Sequence, residues 1–288
     1  MKLIKQARAA VSMLDPVEVR KRARRPLNVG LVAPDGEAYG EMEDFLLPAG
    51  MSREARLDMT GRVHRVGDAD APPSVDLVMY HRTVARGEGS YTLDPRDPES
   101  LTAEIMSDHE ELALALARQF PAFRKPVVDR IVQAVARENA LFSIATALPN
   151  VVPNFMELPW AFGEFASDTA FLTANQIRMA FLIGGACGQE VGFSHQTGAV
   201  LSIVAGAFGW RALARELAGK IPLGGGLIPK GAIAYAGTFA VGKSLEFFYH
   251  ANRHYTREES DQVYRQGFEK GQGVAESLSA GEPPTGSA

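Results

Sequence analysis

Apolar residues change their rhythm part-way along the chain. In the first third they come in short runs bounded by Gly, Pro and Asp. "RPLNVGLVAPDG" at 25–36 reads as a buried strand ending in a turn, "RVHRV" at 62–66 as a short strand, and "SVDLVMYHR" at 74–82 as a longer one. The stretch "EAYGEMEDFLL" between the first two is helical in pattern, and "GDADAPPS" is a turn-rich loop. Residues 26–105 are therefore expected to form a small α/β unit.

After "DPRDPES" the spacing becomes helical. Ser107 and Glu110 stand three apart before "LALALARQF", the arrangement of a capping box. Pro126 suits the first turn of the following helix. Val128, Ile131, Val132, Val135, Phe142 and Ala145 then recur at helical intervals. Further helices are predicted from Ser167 through "DTAFLTANQIRMAFLIGGA", over about 198–220, over about 229–254, and from the capping pair Thr256/Glu259 onward. Breaks at "PNVVPNF" and "IPLGGGLIP" divide the C-terminal part into two Pro/Gly-broken helical pairs. The predicted class is mainly α, α+β overall. Its parts are a basic N-terminal segment (1–25), a degenerate α/β unit (26–105), a helical domain (106–272) and a linker-like tail (273–288).

Charge changes this picture at one end. The 288-residue chain carries a net charge of −4, but residues 1–25 alone carry +6. There Leu3, Ala7, Val11 and Leu14 form a stripe with Lys2, Lys5 and Arg8 off it. Such a basic amphipathic helix fits an anionic membrane surface or a docking partner. "VRKRARR" lacks interleaved aromatics, so no specific nucleic-acid partner is expected. A single cysteine, Cys187, precludes an intrachain disulfide and points to a reducing, cytoplasmic setting. Residues 139–156 and 191–210 contain no Asp, Glu, Lys or Arg. Prolines in the first run and polar residues in the second interrupt both as membrane spans.

Chemistry-bearing motifs are few. "GTFAVGKS" at 237–244 fits the phosphate-loop template, with Lys243 in the lysine position. A working loop needs a strand before it and an acidic strand elsewhere, and the flanks here are Ala-, Gly- and helix-rich. The match is therefore expected to be accidental, with no nucleotide and no other cofactor bound. "LNVGLVA" resembles a strand that precedes such a loop. The turn after it instead carries Asp35, Glu37, Glu41, Glu43 and Asp44, which favour a helix start and repel phosphate. Glu157, Glu164 and Asp168 lie in apolar company and need cationic partners, for which Arg178, Arg211, Arg215 and Lys220 are candidates. With Gln176 these residues form the expected polar network. An enzyme or metalloprotein using Glu157, Glu164 and Asp168 is the alternative, as is a ligand face of Glu246, His250 and His254. No catalytic residue is assigned.

The helical part also resembles a known family. "ALPNVVPN", "NQIRMAFLIGGACG" and "GKIPLGGGLIPKGAIAYAGTFAVGKSLEFFY" are similar to a bacterial helical domain of unknown function, found beside Era-like GTPase domains and in YcjF-like inner-membrane proteins. The matching features are the early proline pair, Gln176 with Met179, Lys220-Ile-Pro222 with Gly224, and Thr238 with Gly242, over about residues 140–250. The resemblance implies a helical, often membrane-associated module without established catalysis. No intact GTPase domain precedes it here. The expected function is a non-enzymatic interaction or regulatory module, cytoplasmic or associated peripherally or integrally with the inner face of the membrane, acting through a protein partner or self-association.

Overall fold

A computed structural model describes residues 16–68, 71–146, 168–203 and 227–279. The mainly α, α+β class is observed. The chain divides into two compact units: Val17–Asp129 with Gly185–Glu190, and Arg130–Gly184 with Val191 onward. The first unit thus extends past residue 105, because the helices that follow the sheet bury their apolar faces within it. The basic stripe of 1–15, the break at 149–155 and the greater part of the helix predicted over about 198–220 lie outside the described residues, and of the break at 221–229 only 227–229 are described, already in a helix.

In the sheet unit the elements run α1 (Pro16–Arg24), β1 (Val29–Val32), α2 (Gly36–Leu46), α3 (Arg53–Thr60), β2 (Val63–Arg65), β3 (Leu77–His81), β4 (Tyr91–Leu93), α4 (Pro98–Asp108) and α5 (Ala113–Gln119). The strands lie in the order β2-β1-β3-β4, all parallel, with Val29 opposite both Val63 and Leu77. Leu27, Val29, Leu31, Leu77, Met79 and Leu93 are fully or almost fully buried, as the apolar runs require. Register is held at the strand entrances. Asp76 accepts from the Asn28 amide at 2.9 Å and pairs with Arg25 at 3.0 Å. Gln119 accepts from the Leu27 amide at 3.1 Å and donates to the Arg25 carbonyl at 2.8 Å.

Three helix starts in this unit are closed by a side chain. Asp35 caps α2 through the Ala38 amide, Ser52 caps α3 through Ala55, and Asp97, followed by Pro98, caps α4 through Ser100. The expected capping box at Ser107 is not formed. Ser107 lies in the last turn of α4, and a single 3-10 turn, Glu110–Leu112, leads into α5. The apolar run that follows the pair is only one short helix, so the chain turns before Ser107 could cap anything.

The helical unit contains α6 (Arg124–Ala145) from Arg130 on, α7 (Asp168–Ala186) up to Gly184, α8 (Leu227–Ala251) and α9 (Arg257–Ser279), with a further helix described over 197–203. Pro126 occupies the first turn of α6, as expected. Helix α9 continues past residue 273, into what the composition marks as tail. No helix among the described residues is long and apolar enough to cross a membrane.

Helices α8 and α9 run antiparallel, and glycine sets their approach. A Cβ at Gly271 would stand 2.9 Å from the Ala232 carbonyl oxygen and 3.1 Å from its Cα. A Cβ at Gly242 would stand 2.6 Å from Val132 and 3.1 Å from the Met179 sulfur. The corner between α8 and α9 is equally specific. Asn252 takes φ 50°, the left-handed conformation that closes a helix end. The Thr256 amide donates to Glu259 at 2.8 Å and the Glu259 amide donates to the Thr256 hydroxyl at 3.2 Å, a reciprocal capping box. Both guanidinium amines of Arg253 reach Glu259 at 2.8 Å. The Arg253 bonds, and then the Thr256 amide, lower the Glu259 carboxyl to about 2.

Two measurements check this packing. Gly271→Ala is expected to lower stability in denaturant by about 1–3 kcal/mol, because main-chain atoms must move. Gly273→Ala, where nothing lies within 4 Å, is expected to raise it by about 0.5–1 kcal/mol. The cap is checked by pH. A carboxyl held low in the folded state contributes fully above its ordinary range and is lost as pH falls toward about 2. Protection of the Thr256 amide against exchange should fall over that interval, and Glu259→Gln should remove the pH dependence.

Candidate functional site

Helical periodicity places a line of polar residues on the inward faces of α6, α7 and α8. Asn139 falls four residues after Val135 and three before Phe142, inside the apolar stripe of α6, and is fully buried. Its amide donates to the Thr238 hydroxyl at 2.7 Å, and its carbonyl oxygen accepts from Asn175 at 3.0 Å. Asn175 also donates to Glu138 at 3.0 Å, and Arg178 pairs with the same carboxylate oxygen of Glu138. Gln176 donates to the Thr238 hydroxyl at 3.3 Å, and that hydroxyl donates to the Ala234 carbonyl at 2.9 Å. The chain Arg178–Glu138–Asn175–Asn139–Thr238–Gln176 therefore links three helices. Most of its donors meet acceptors within it, as buried polar groups require.

Gln176 and Arg178 were expected in a polar network, and both belong to this one. Arg178 pairs with Glu138, a partner the sequence did not suggest for it. Glu138, Asn139 and Asn175 were missed. The available signal was their polarity at positions on an apolar helical stripe. Glu157, Glu164, Arg211, Arg215 and Lys220 lie outside the described residues. Asp168 is the first residue of α7.

A second polar tie holds the loop after α7. Gln196 donates to the Ala180 carbonyl at 2.9 Å and meets the Tyr249 hydroxyl at 3.0 Å, while its oxygen accepts from the Gly192 amide. Its amide nitrogen fills the space beside Gly184, where a Cβ would stand 2.2 Å away.

The phosphate-loop match, 237–244, lies inside α8. Amides in mid-helix are spent on carbonyls four residues back and cannot converge on an anion. Lys243 pairs with Glu246 at 2.8 Å. The proposed ligand face of Glu246, His250 and His254 is not one helical face, because α8 ends at Ala251. The His254 ring stacks on Phe248 with centroids 4.8 Å apart. Among the described residues no group of three His, Cys, Asp or Glu is placed to hold a metal ion.

In the sheet unit, strand order reverses between β1 and β3, where open α/β sheets place ligands at the carboxyl ends. The β1 turn offers Asp35, whose carboxylate already fills the amide-rich start of α2. At the end of β3, the buried His81 contacts Glu41 at 3.1 Å through Nε2 and Thr83 at 2.7 Å through Nδ1. Arg82 reaches the other Glu41 oxygen at 2.7 Å. The Arg82 bond, then the His81 contact, hold the Glu41 carboxyl below its ordinary range. Next to this cluster, Arg96 clasps Asp94. Arg82 and Arg96 thus each have a carboxylate partner near the carboxyl ends of β3 and β4.

Comparison with known protein families, with curated proteins and with solved structures finds no match to this chain.

The network makes a definite demand on stability. Asn139→Ala leaves Thr238 and Asn175 short of a partner, and the unfolding free energy should fall by about 1–3 kcal/mol in a denaturant titration. Unchanged stability would show that the three-helix polar chain is not a structural tie.

Proposed function

We propose that the chain is a non-enzymatic interaction and regulatory module. Its helical unit engages a protein partner or a second copy, and its basic segment, 1–25, engages an anionic membrane surface from the cytoplasmic side. One observation carries the non-catalytic part. Arg178, Glu138, Asn175, Asn139 and Thr238, from α6, α7 and α8, are turned toward one another in a single chain of polar contacts. A catalytic group needs free approach to a substrate and a protonation state tuned for transfer. Groups committed to fixing the helices are not free for that approach.

The resemblance of residues 140–250 to the helical domain of Era-associated and YcjF-like proteins points the same way, since that family implies a membrane-associated module. The surface part rests on sequence: Lys2, Lys5 and Arg8 beside the Leu3, Ala7, Val11 and Leu14 stripe. Each basic residue near an anionic leaflet contributes about 1 kcal/mol.

Co-sedimentation with vesicles containing phosphatidylglycerol tests the reading. The full chain should bind, high salt should release it, and reversal of Lys2, Lys5 and Arg8 to Glu should weaken binding on the order of 100-fold. Equal recovery of both forms in the soluble fraction would remove the membrane contact from the proposal.

A further inference from the structure

Four arginines, Arg24, Arg62, Arg118 and Arg124, line one cavity of about 750 Å³ in the sheet unit. The volume lies in the range of small-molecule sites. One acid, Asp58, is in the lining, and it is exposed. Glu190 answers part of the remaining charge. Arg24 Nη2 stands 2.5 Å from both its oxygens, and Arg118 stands 3.9 Å from one while donating to the Gln189 carbonyl at 3.0 Å.

That leaves Arg62 and Arg124, which have no carboxylate partner among the described residues. Both are half-buried, and the Arg124 Nε is shielded from solvent without a hydrogen-bond partner. Arg124 also opens α6, a 22-residue helix with no acid in its first turn. A cation there opposes the helix dipole. The start of α3, at Ser52 and Ala55, forms another part of the wall and adds its own positive end. Burial holds Arg118 below the usual arginine range. Glu190 opposes that shift, while the nearby charges of Arg24 and Arg124 add to it. Folding has gathered like charges around a hollow and left two without a counter-charge among the described residues.

We infer that this cavity is a binding site for a phosphate group, carried by a small organic molecule or a lipid headgroup. The site lies within the sheet unit and uses none of Lys2, Lys5 and Arg8. A single carboxylate satisfies one guanidinium, as Glu190 does for Arg24. The remaining fork-shaped donors suit a group with several oxygens and more than one negative charge. Met51 and Met59 in the same lining offer an apolar surface to whatever carries the phosphate.

The test uses the full chain, titrated by calorimetry and thermal melting with inorganic phosphate, with pyrophosphate, and with vesicles containing phosphatidic acid. Saturable binding of a soluble anion that raises the melting temperature is the expected result. It should weaken about tenfold or more in Arg62→Gln and in Arg124→Gln. Because neither residue loses an ion pair, both variants should melt no lower than the parent without anion. Binding to the vesicles alone, lost in these two variants but kept when Lys2, Lys5 and Arg8 are reversed, would identify the phosphate as a headgroup. If no phosphate form binds in a manner sensitive to Arg62 or Arg124, the inference is overturned. It is equally overturned if both variants melt lower while phosphate affinity is unchanged, since the arginines would then be structural.

Discussion

Where a helix carries glycine toward its neighbour, the two backbones can approach until main-chain atoms meet, and the helical unit is organised around that approach. Gly271 rests against the Ala232 backbone, and Gly242 receives Val132 and Met179. With α8 pressed against α9 on one side and α6 on another, little room remains between them. Small residues such as Ala232, Ala236 and Ala240 fill it. The glycines that make "GTFAVGKS" look like a phosphate loop belong to this arrangement. In a loop, glycine frees the backbone for an anion. Here Gly242 leaves space for a neighbouring side chain, and the two uses are indistinguishable by letter.

The buried polar chain is a consequence of the same closeness. Alanine and glycine contacts are nearly featureless and would permit helices to slide or rotate. Asn139, Asn175 and Thr238 meet only in one relative placement of α6, α7 and α8, because each hydrogen bond fixes a distance and a direction. Apolar contact supplies the attraction and the amides select the alignment. In the sheet unit Asp76 and Gln119 do comparable work, clamping the backbone where β1 begins.

Much of the architecture was legible in the sequence because it rests on local pattern. β1, β2 and β3 each fall inside an apolar run flanked by turn residues, and the Thr256/Glu259 cap was readable from two letters. β4 was missed because Tyr91–Leu93 is too short to show alternation. α3 was missed because none of its residues is buried, so it leaves no apolar stripe. The Ser107/Glu110 pair misled for the opposite reason, since it has the letters of a cap without the helix behind it. Long-range pairing was not legible. Arg178 selects Glu138 across two helices, and the arginines of the cavity come from separate places along the chain. Helix period shows which face a residue occupies but not which element will lie opposite.

The corner at Asn252–Thr256 has a kinetic consequence. It joins α8 to α9 through a few residues, so the contacts of that hairpin are short in sequence and little chain entropy is lost in closing it. The β1–β3 junction is different: Asn28 and Asp76 are 48 positions apart and the strands are parallel. Pairing them must wait until a long loop has closed. The strands precede α8 and α9 along the chain and leave a ribosome before them, yet the later hairpin is the one topologically equipped to fold faster.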